Sequence, residues 1–133
     1  LPLYEALSFY EELGTDLVYN RLNDIGRWLR TGLSRYGSAF ELLTPTTEGQ
    51  SVVMTCFRIN GMSSESAVDA LSSSYSIEVK HSTEGGADAI RLAPHYYNTG
   101  AEFMALAAAI CALAGVSLEP WLEDNPLEGL PIR

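Results

Sequence analysis

One arginine set in an apolar run is the residue best suited to chemistry in this chain. Arg91 stands in Ala89-Ile-Arg-Leu92, ahead of Ala93-Pro-His-Tyr-Tyr-Asn-Thr-Gly-Ala-Glu102. Arginine presents a flat fork of N–H donors that matches a carboxylate through two hydrogen bonds. Delivered by a strand beside a rigid turn, it suits the holding of an organic acid. A plainer role is open to the same side chain: an exposed sheet-face charge paired with Glu78 or Glu84. His95 has the chemistry of an acid–base group, but a lone turn histidine more often packs or donates within its turn. Lys80 and His81 are adjacent, which invites a Schiff-base role. An amine nucleophile needs desolvation or a neighbouring cation, however, and Lys80 lies on the polar side of an alternating run. Cys56 and Cys111 fall in an apolar strand and an apolar helix, the setting of two buried free thiols. No glycine-rich phosphate loop, nucleophile elbow, zinc spacing or paired-carboxylate pattern accompanies them.

The elements that must position Arg91 follow from periodicity. Strand alternation places Ile90 and Leu92 on one face and Arg91 on the other. Pro94 has no N–H for a ladder and ends that strand. Thr99-Gly-Ala-Glu102 has capping-box spacing and opens a helix over about 100–114, stopped by Gly115. Upstream, Ser76–His81 alternates, with Ile77, Val79 and His81 on one side and Glu78 and Lys80 on the other. The short Glu84-Gly-Gly86 connection makes these two strands an antiparallel hairpin. Ser51–Ile59 is apolar on both sides and reads as a central strand, turned by Asn60-Gly61. Ser63 caps a short helix over 64–73. Ala39–Leu43 reads as a short strand.

Two helices come first. Pro2–Leu13 places Leu3, Leu7 and Tyr10 on one stripe and ends at Gly14. Thr15 is the expected cap of a longer helix whose core stripe is Val18, Leu22, Ile25, Leu29, Leu33 and Tyr36. Arg21, Arg27, Arg30 and Arg35 lie mostly off that stripe and read as a solvated face. The expected architecture is α+β: a mixed, mostly antiparallel sheet of about four strands with helices on one face. Residues 1–115 form one domain. The stretch 116–133 is a proline-rich acidic tail, and Trp121, Leu122, Leu127 and Leu130 suggest that it docks.

The totals limit the function classes. The chain has 133 residues, 47% hydrophobic and 19% charged, enough for one domain with a real core. Eight basic against 17 acidic residues leave a formal charge of −9, which argues against nucleic acid and anionic membrane surfaces as partners. No signal peptide or membrane-spanning run is evident, so a cytoplasmic location is expected. A first residue of Leu rather than Met suggests an engineered start, a processed product or a piece of something longer.

The run Ile90-Arg-Leu-Ala-Pro-His-Tyr-Tyr-Asn-Thr-Gly-Ala-Glu-Phe103 resembles the end of class V aminotransferases, the pyridoxal-phosphate enzymes that include cysteine desulfurases, kynureninases and isopenicillin N epimerase-like proteins. The likeness in element order extends over most of residues 1–115. The resemblance implies that Arg91 binds the α-carboxylate of an amino-acid substrate, and that Asn98 and Thr99 serve the turn before the last helix. It places Lys80 where several members carry another arginine. The loop Ser82–Gly86 has no cysteine where desulfurases carry theirs, so desulfurase chemistry is not expected. The family's cofactor domain, with its Schiff-base lysine, precedes this region and is not in this sequence. The resemblance therefore implies the C-terminal small domain of such an enzyme. It would bind no cofactor and be inactive alone, with pyridoxal phosphate and a cofactor-binding large domain in the parent, and a homodimer is among the partners this implies. The competing expectations are a stand-alone binding or protein-interaction module of the same fold, and a small-molecule-binding regulatory domain.

Overall fold

The computed structural model describes residues 2–47 and 49–125. Nine elements follow one another: α1 (Pro2–Leu13), α2 (Thr15–Ser34), β1 (Phe40–Leu42), β2 (Thr55–Ile59), α3 (Ser64–Tyr75), β3 (Lys80–Ser82), β4 (Ala89–Leu92), α4 (Gly100–Ala114) and α5 (Glu119–Leu122). The fold is α+β. The four strands form one sheet in the order β1-β2-β4-β3, and every pairing is antiparallel. Because β4 lies between β2 and β3, the path from β2 through α3 to β3 is a split crossover that leaves a central slot. The strand bearing Arg91 fills that slot and is bonded on both sides.

Register sets the two faces. Phe57 pairs with Leu42 and Ile90, Phe40 with Ile59, and Thr55 with Leu92. Apart from the half-buried Leu42 these side chains are buried, and they share one core with Ile25, Trp28, Leu29 and Leu33 of α2, Ala67 and Leu71 of α3, and Phe103, Ala107 and Ile110 of α4. The opposite face carries Glu41, Arg58, Cys56, Arg91 and Lys80 from the alternate positions.

Residues 116–125 close the core beside α2. Trp121 is fully buried, with its ring 5.5 Å from Trp28 and 6.4 Å from Tyr36. It lies directly on Gly32. A methyl group there would come within 2.1 Å of the indole, so the close approach needs glycine. Tyr36 Oη donates to Ser117 O at 2.7 Å and accepts the Trp121 N–H at 2.9 Å. Burial, with Cys111 beside it, pushes the Tyr36 hydroxyl up to about 12. Asn125 completes the seam: its Nδ2 donates to Trp28 O and Trp121 O, and its own carbonyl accepts the Trp28 indole N–H. Leu127 and Leu130 lie outside the described residues.

Several boundaries differ from the sequence-based expectation. Gly14 (φ 86°), not Thr15, caps α2, and Thr15 is its first residue. Strand β2 starts only at Thr55. The N–H groups of Leu43 and Thr44 both reach Cys56 O, and Thr44 Oγ1 takes the Cys56 N–H, so the β1–β2 ladder is closed off there. Arg30 instead takes Val52 O at 3.1 Å. Helix α3 runs on to Tyr75 because Ser76 adopts a left-handed cap (φ 55°), while the Ile77 N–H reaches back to Leu71 O. Strand β3, expected from Ser76, therefore forms only at Lys80 and runs to Ser82. The apolar stripe of α1 faces outward: Leu3, Tyr4, Leu7, Phe9 and Tyr10 are all exposed.

Candidate functional site

Arg91 projects from the centre of the helix-free face, with Cys56 opposite on β2 and Lys80 opposite on β3. Its side chain is 24% exposed, so about three quarters of it is covered. The Nε–H is buried and has no hydrogen-bond partner among the described residues. Glu84 Oε1 lies 3.7 Å from Arg91 Nη1 and 3.8 Å from Lys80 Nζ. Both separations exceed hydrogen-bond length, so Glu84 attracts the two cations without docking on either. Of the two carboxylates weighed from sequence, Glu84 is the one that meets Arg91. Glu78 accepts the Ser72 hydroxyl at 2.6 Å.

Beyond Leu92 the chain makes a compact aromatic turn. Asn98 Oδ1 accepts the His95 N–H at 2.8 Å, and the Asn98 N–H reaches His95 O at 3.1 Å. The His95 ring stacks on Tyr97 at 4.5 Å and meets Tyr96 at the same distance. It is exposed and serves the turn. The capping box is complete: the Glu102 N–H reaches Thr99 Oγ1 at 3.3 Å, and Glu102 Oε2 accepts the Thr99 N–H at 2.6 Å. That last bond, ahead of the Thr99 hydroxyl, holds the Glu102 carboxyl below its usual range.

The residue that sequence reasoning missed is Arg21. Expected on a solvated face, it is half-buried and reaches from α2 across to this turn, donating through Nε to Tyr96 O and through Nη2 to Asn98 O at 2.8 Å. A guanidinium satisfying two carbonyls 75 and 77 residues away ties the turn to the helix layer. Nothing local could disclose it, since the acceptors are backbone atoms. Arg21→Met, which keeps much of the stem, is expected to lower stability by about 2 kcal/mol, the scale of bonds to a charged donor. Urea unfolding checks this; a loss within experimental error would deny Arg21 that role.

His81 occupies the helix-side position opposite Ile90. Its Nε2 donates to Asp88 Oδ1 at 2.8 Å, and Asp88 Oδ2 accepts the Ser64 N–H at the start of α3. The His81 bond, then the Ser64 N–H, holds the Asp88 carboxyl below its ordinary 3.8. A depressed carboxyl stabilises the fold above its unfolded-state value and loses that contribution as pH falls through the folded-state value. The difference in melting temperature between wild type and Asp88→Asn should therefore shrink below about pH 4. A difference that stays constant from pH 6 to pH 2 would exclude the linkage.

Cys111 is buried as expected, whereas Cys56 is half-buried because it shares the open face with Arg91; both thiols are free. Burial pushes the Cys111 thiol up, against any role as a nucleophile. Among the described residues no group of His, Cys, Asp and Glu could hold a metal ion, and no helix is long and apolar enough to cross a membrane. A groove of about 500 Å³ lies between the lead-in to β3 and α4, lined by Ile77, Val79, Pro94, Tyr97 and Phe103. A wider one of about 1130 Å³ runs along α2 past Arg27, Arg30 and Arg35. Neither is lined by Arg91.

Comparison with known proteins finds no family model and no curated protein that matches this chain.

Proposed function

We propose that the chain is the C-terminal small domain of a class V aminotransferase-like, pyridoxal-phosphate-dependent enzyme, and that Arg91 holds the α-carboxylate of its amino-acid substrate. The observation that carries this reading is the Arg91 guanidinium itself. It stands on a central strand, on the helix-free face, with a buried Nε–H that no group among the described residues satisfies. An unpaired buried donor costs about 1–3 kcal/mol, and a carboxylate accepting from Nε and a terminal nitrogen would relieve it. The Arg91 strand, the Asn98 turn and the Thr99–Glu102 cap are supporting features, because they lie where the sequence resemblance puts them.

The residues present do not fit the cofactor. Lys80 is the one lysine of the chain, its side chain is 58% exposed, and it faces Glu84 rather than a desolvated pocket. The proposed part of this domain is binding and orientation: Arg91 fixes one end of the substrate so that its reacting carbon is presented to a second domain that carries pyridoxal phosphate. Alone the domain is inactive on this reading, and a cytoplasmic setting and a homodimeric parent belong to the same proposal.

The coding sequence upstream of Leu1 tests it. An in-frame domain bearing a Schiff-base lysine supports the reading, and a start codon immediately before Leu1 overturns it. The absorbance of the purified chain mixed with pyridoxal phosphate is a second check, because a stoichiometric, functional aldimine on Lys80 would contradict the assignment. A stand-alone interaction module is the second reading. The exposed apolar residues of α1, continued by Leu17 and Tyr19 on α2, favour it. Self-association of the purified chain that is lost on Leu3→Glu/Leu7→Glu substitution, together with that upstream start codon, would select it.

A further inference from the structure

The Arg91 site already contains a carboxylate, and it belongs to the chain. Glu84 sits in the β3–β4 connection, where it forms a single 3-10 turn with Gly85 and Gly86. One oxygen, Oε1, is shared between Arg91 Nη1 and Lys80 Nζ at 3.7 and 3.8 Å. Lys80 and Arg91 are cross-strand partners on one face, so their like charges repel. The shared carboxylate reduces that repulsion. Yet Glu84 is held loosely: its side chain is 73% exposed, it reaches neither cation at hydrogen-bond length, and it leaves Arg91 Nε unsatisfied. The backbone behind it is open to solvent. Gly85 and Gly86 both have positive φ (65° and 79°), and a side chain at either would touch nothing within 4 Å.

We infer that Glu84 is an internal competitor for Arg91: its carboxylate screens the guanidinium when the site is empty and swings out on the Gly85–Gly86 turn when a ligand carboxylate arrives. The inference rests on the reading of Arg91 as a carboxylate anchor and adds a residue that sets the affinity. A ligand carboxylate that seats at hydrogen-bond length on a terminal nitrogen, and on Nε once Glu84's departure uncovers it, gains contacts Glu84 does not make, so it wins the exchange. An acid that can make only one such contact gains little over Glu84. The competitor therefore discriminates by geometry, favouring carboxylates free to approach the guanidinium edge-on.

Acetate is the probe. The Arg91 Nε–H resonance of the purified chain is followed as sodium acetate replaces sodium chloride at constant ionic strength, which screens distant charges equally throughout. The wild type is compared with Glu84→Gln and with Glu84→Asp, which keeps the charge but withdraws it by one methylene. Because Glu84 is exposed, neither change threatens the fold. Acetate should bind about two- to fivefold more tightly to Glu84→Gln, the factor a loose surface ion pair supplies, and Glu84→Asp should share part of that gain. Arg91-dependent binding that is equal or weaker in Glu84→Gln overturns the competitor and leaves the anchor standing. A gain confined to Glu84→Gln, with Glu84→Asp like wild type, assigns the effect to net charge and also overturns it. No acetate-dependent shift at Arg91 in any form removes the anchor and the competitor together.

Discussion

Trp121→Ala is expected to lower stability by about 3–5 kcal/mol, the range for truncating a large buried aromatic side chain. The indole is fully buried between Trp28 and Tyr36 and seals α2 with a segment that is remote in sequence. Its removal leaves a cavity over Gly32 and loosens the seam in which Asn125 bonds the Trp28 N–H and carbonyl. Gly32→Ala should be damaging by the opposite route. The added methyl would lie 2.1 Å from the indole, and the ring has no solvent to move into. The double variant separates these effects. With the indole gone the methyl has room, so the cost of Gly32→Ala should nearly vanish in the Trp121→Ala background. Denaturant unfolding of the four proteins reads the cycle directly. Additive costs would mean that Gly32 tolerates no side chain for reasons of its own helix.

Arg91→Ala in the intact enzyme proposed above is expected to weaken amino-acid binding and turnover by about 1.5–3 kcal/mol, or roughly 10- to 150-fold in kcat/KM. Arg91→Lys should recover little, because an ammonium cannot bond a carboxylate as a planar fork does. The fold should survive both changes, since the guanidinium contributes no hydrogen bond among the described residues and its one ion pair is loose. Steady-state kinetics together with melting curves separate the cases. Unchanged kinetics would remove Arg91 from the substrate site, and a collapse of melting temperature would make its role structural.

Much of this arrangement was readable from residue order, for local reasons. The Thr99–Glu102 box, the Ser63 cap, the Pro94 stop and the side-to-side alternation around Arg91 all depend on neighbours within a few positions. The apolar run from Val52 to Ile59 placed β2 in the interior of the sheet, where it lies, although only its Thr55, Phe57 and Ile59 face is buried and Cys56 and Arg58 meet the open side. What stayed hidden depends on distant partners. Gly32 looks like an ordinary helix weakness until Trp121 is seen lying on it. Arg21 looks solvated until its carbonyl acceptors arrive from residues 96 and 98. Ser76 gives no glycine-like signal for a left-handed cap, so the end of α3 and the start of β3 were displaced. The Arg91 neighbourhood was half legible: Glu84 could be named as a partner, but the orphaned Nε–H and the oxygen shared with Lys80 require coordinates.

The position of β4 between β2 and β3 has a consequence for timing. The amide hydrogens of Arg91's strand donate into a ladder on one side or the other and lie away from either edge of the sheet, so they should persist into the slow, near-global class of protection. The Glu84–Gly86 turn is exposed, carries only single-turn bonds, and should exchange at rates close to those of an open peptide. Anchor and competitor therefore belong to different clocks. The backbone that carries the guanidinium stays in place on the timescale of unfolding, while the turn that carries the carboxylate moves on the far faster timescale of loops. Ligand entry at such a site would be limited by diffusion and by the turn, and never by the sheet.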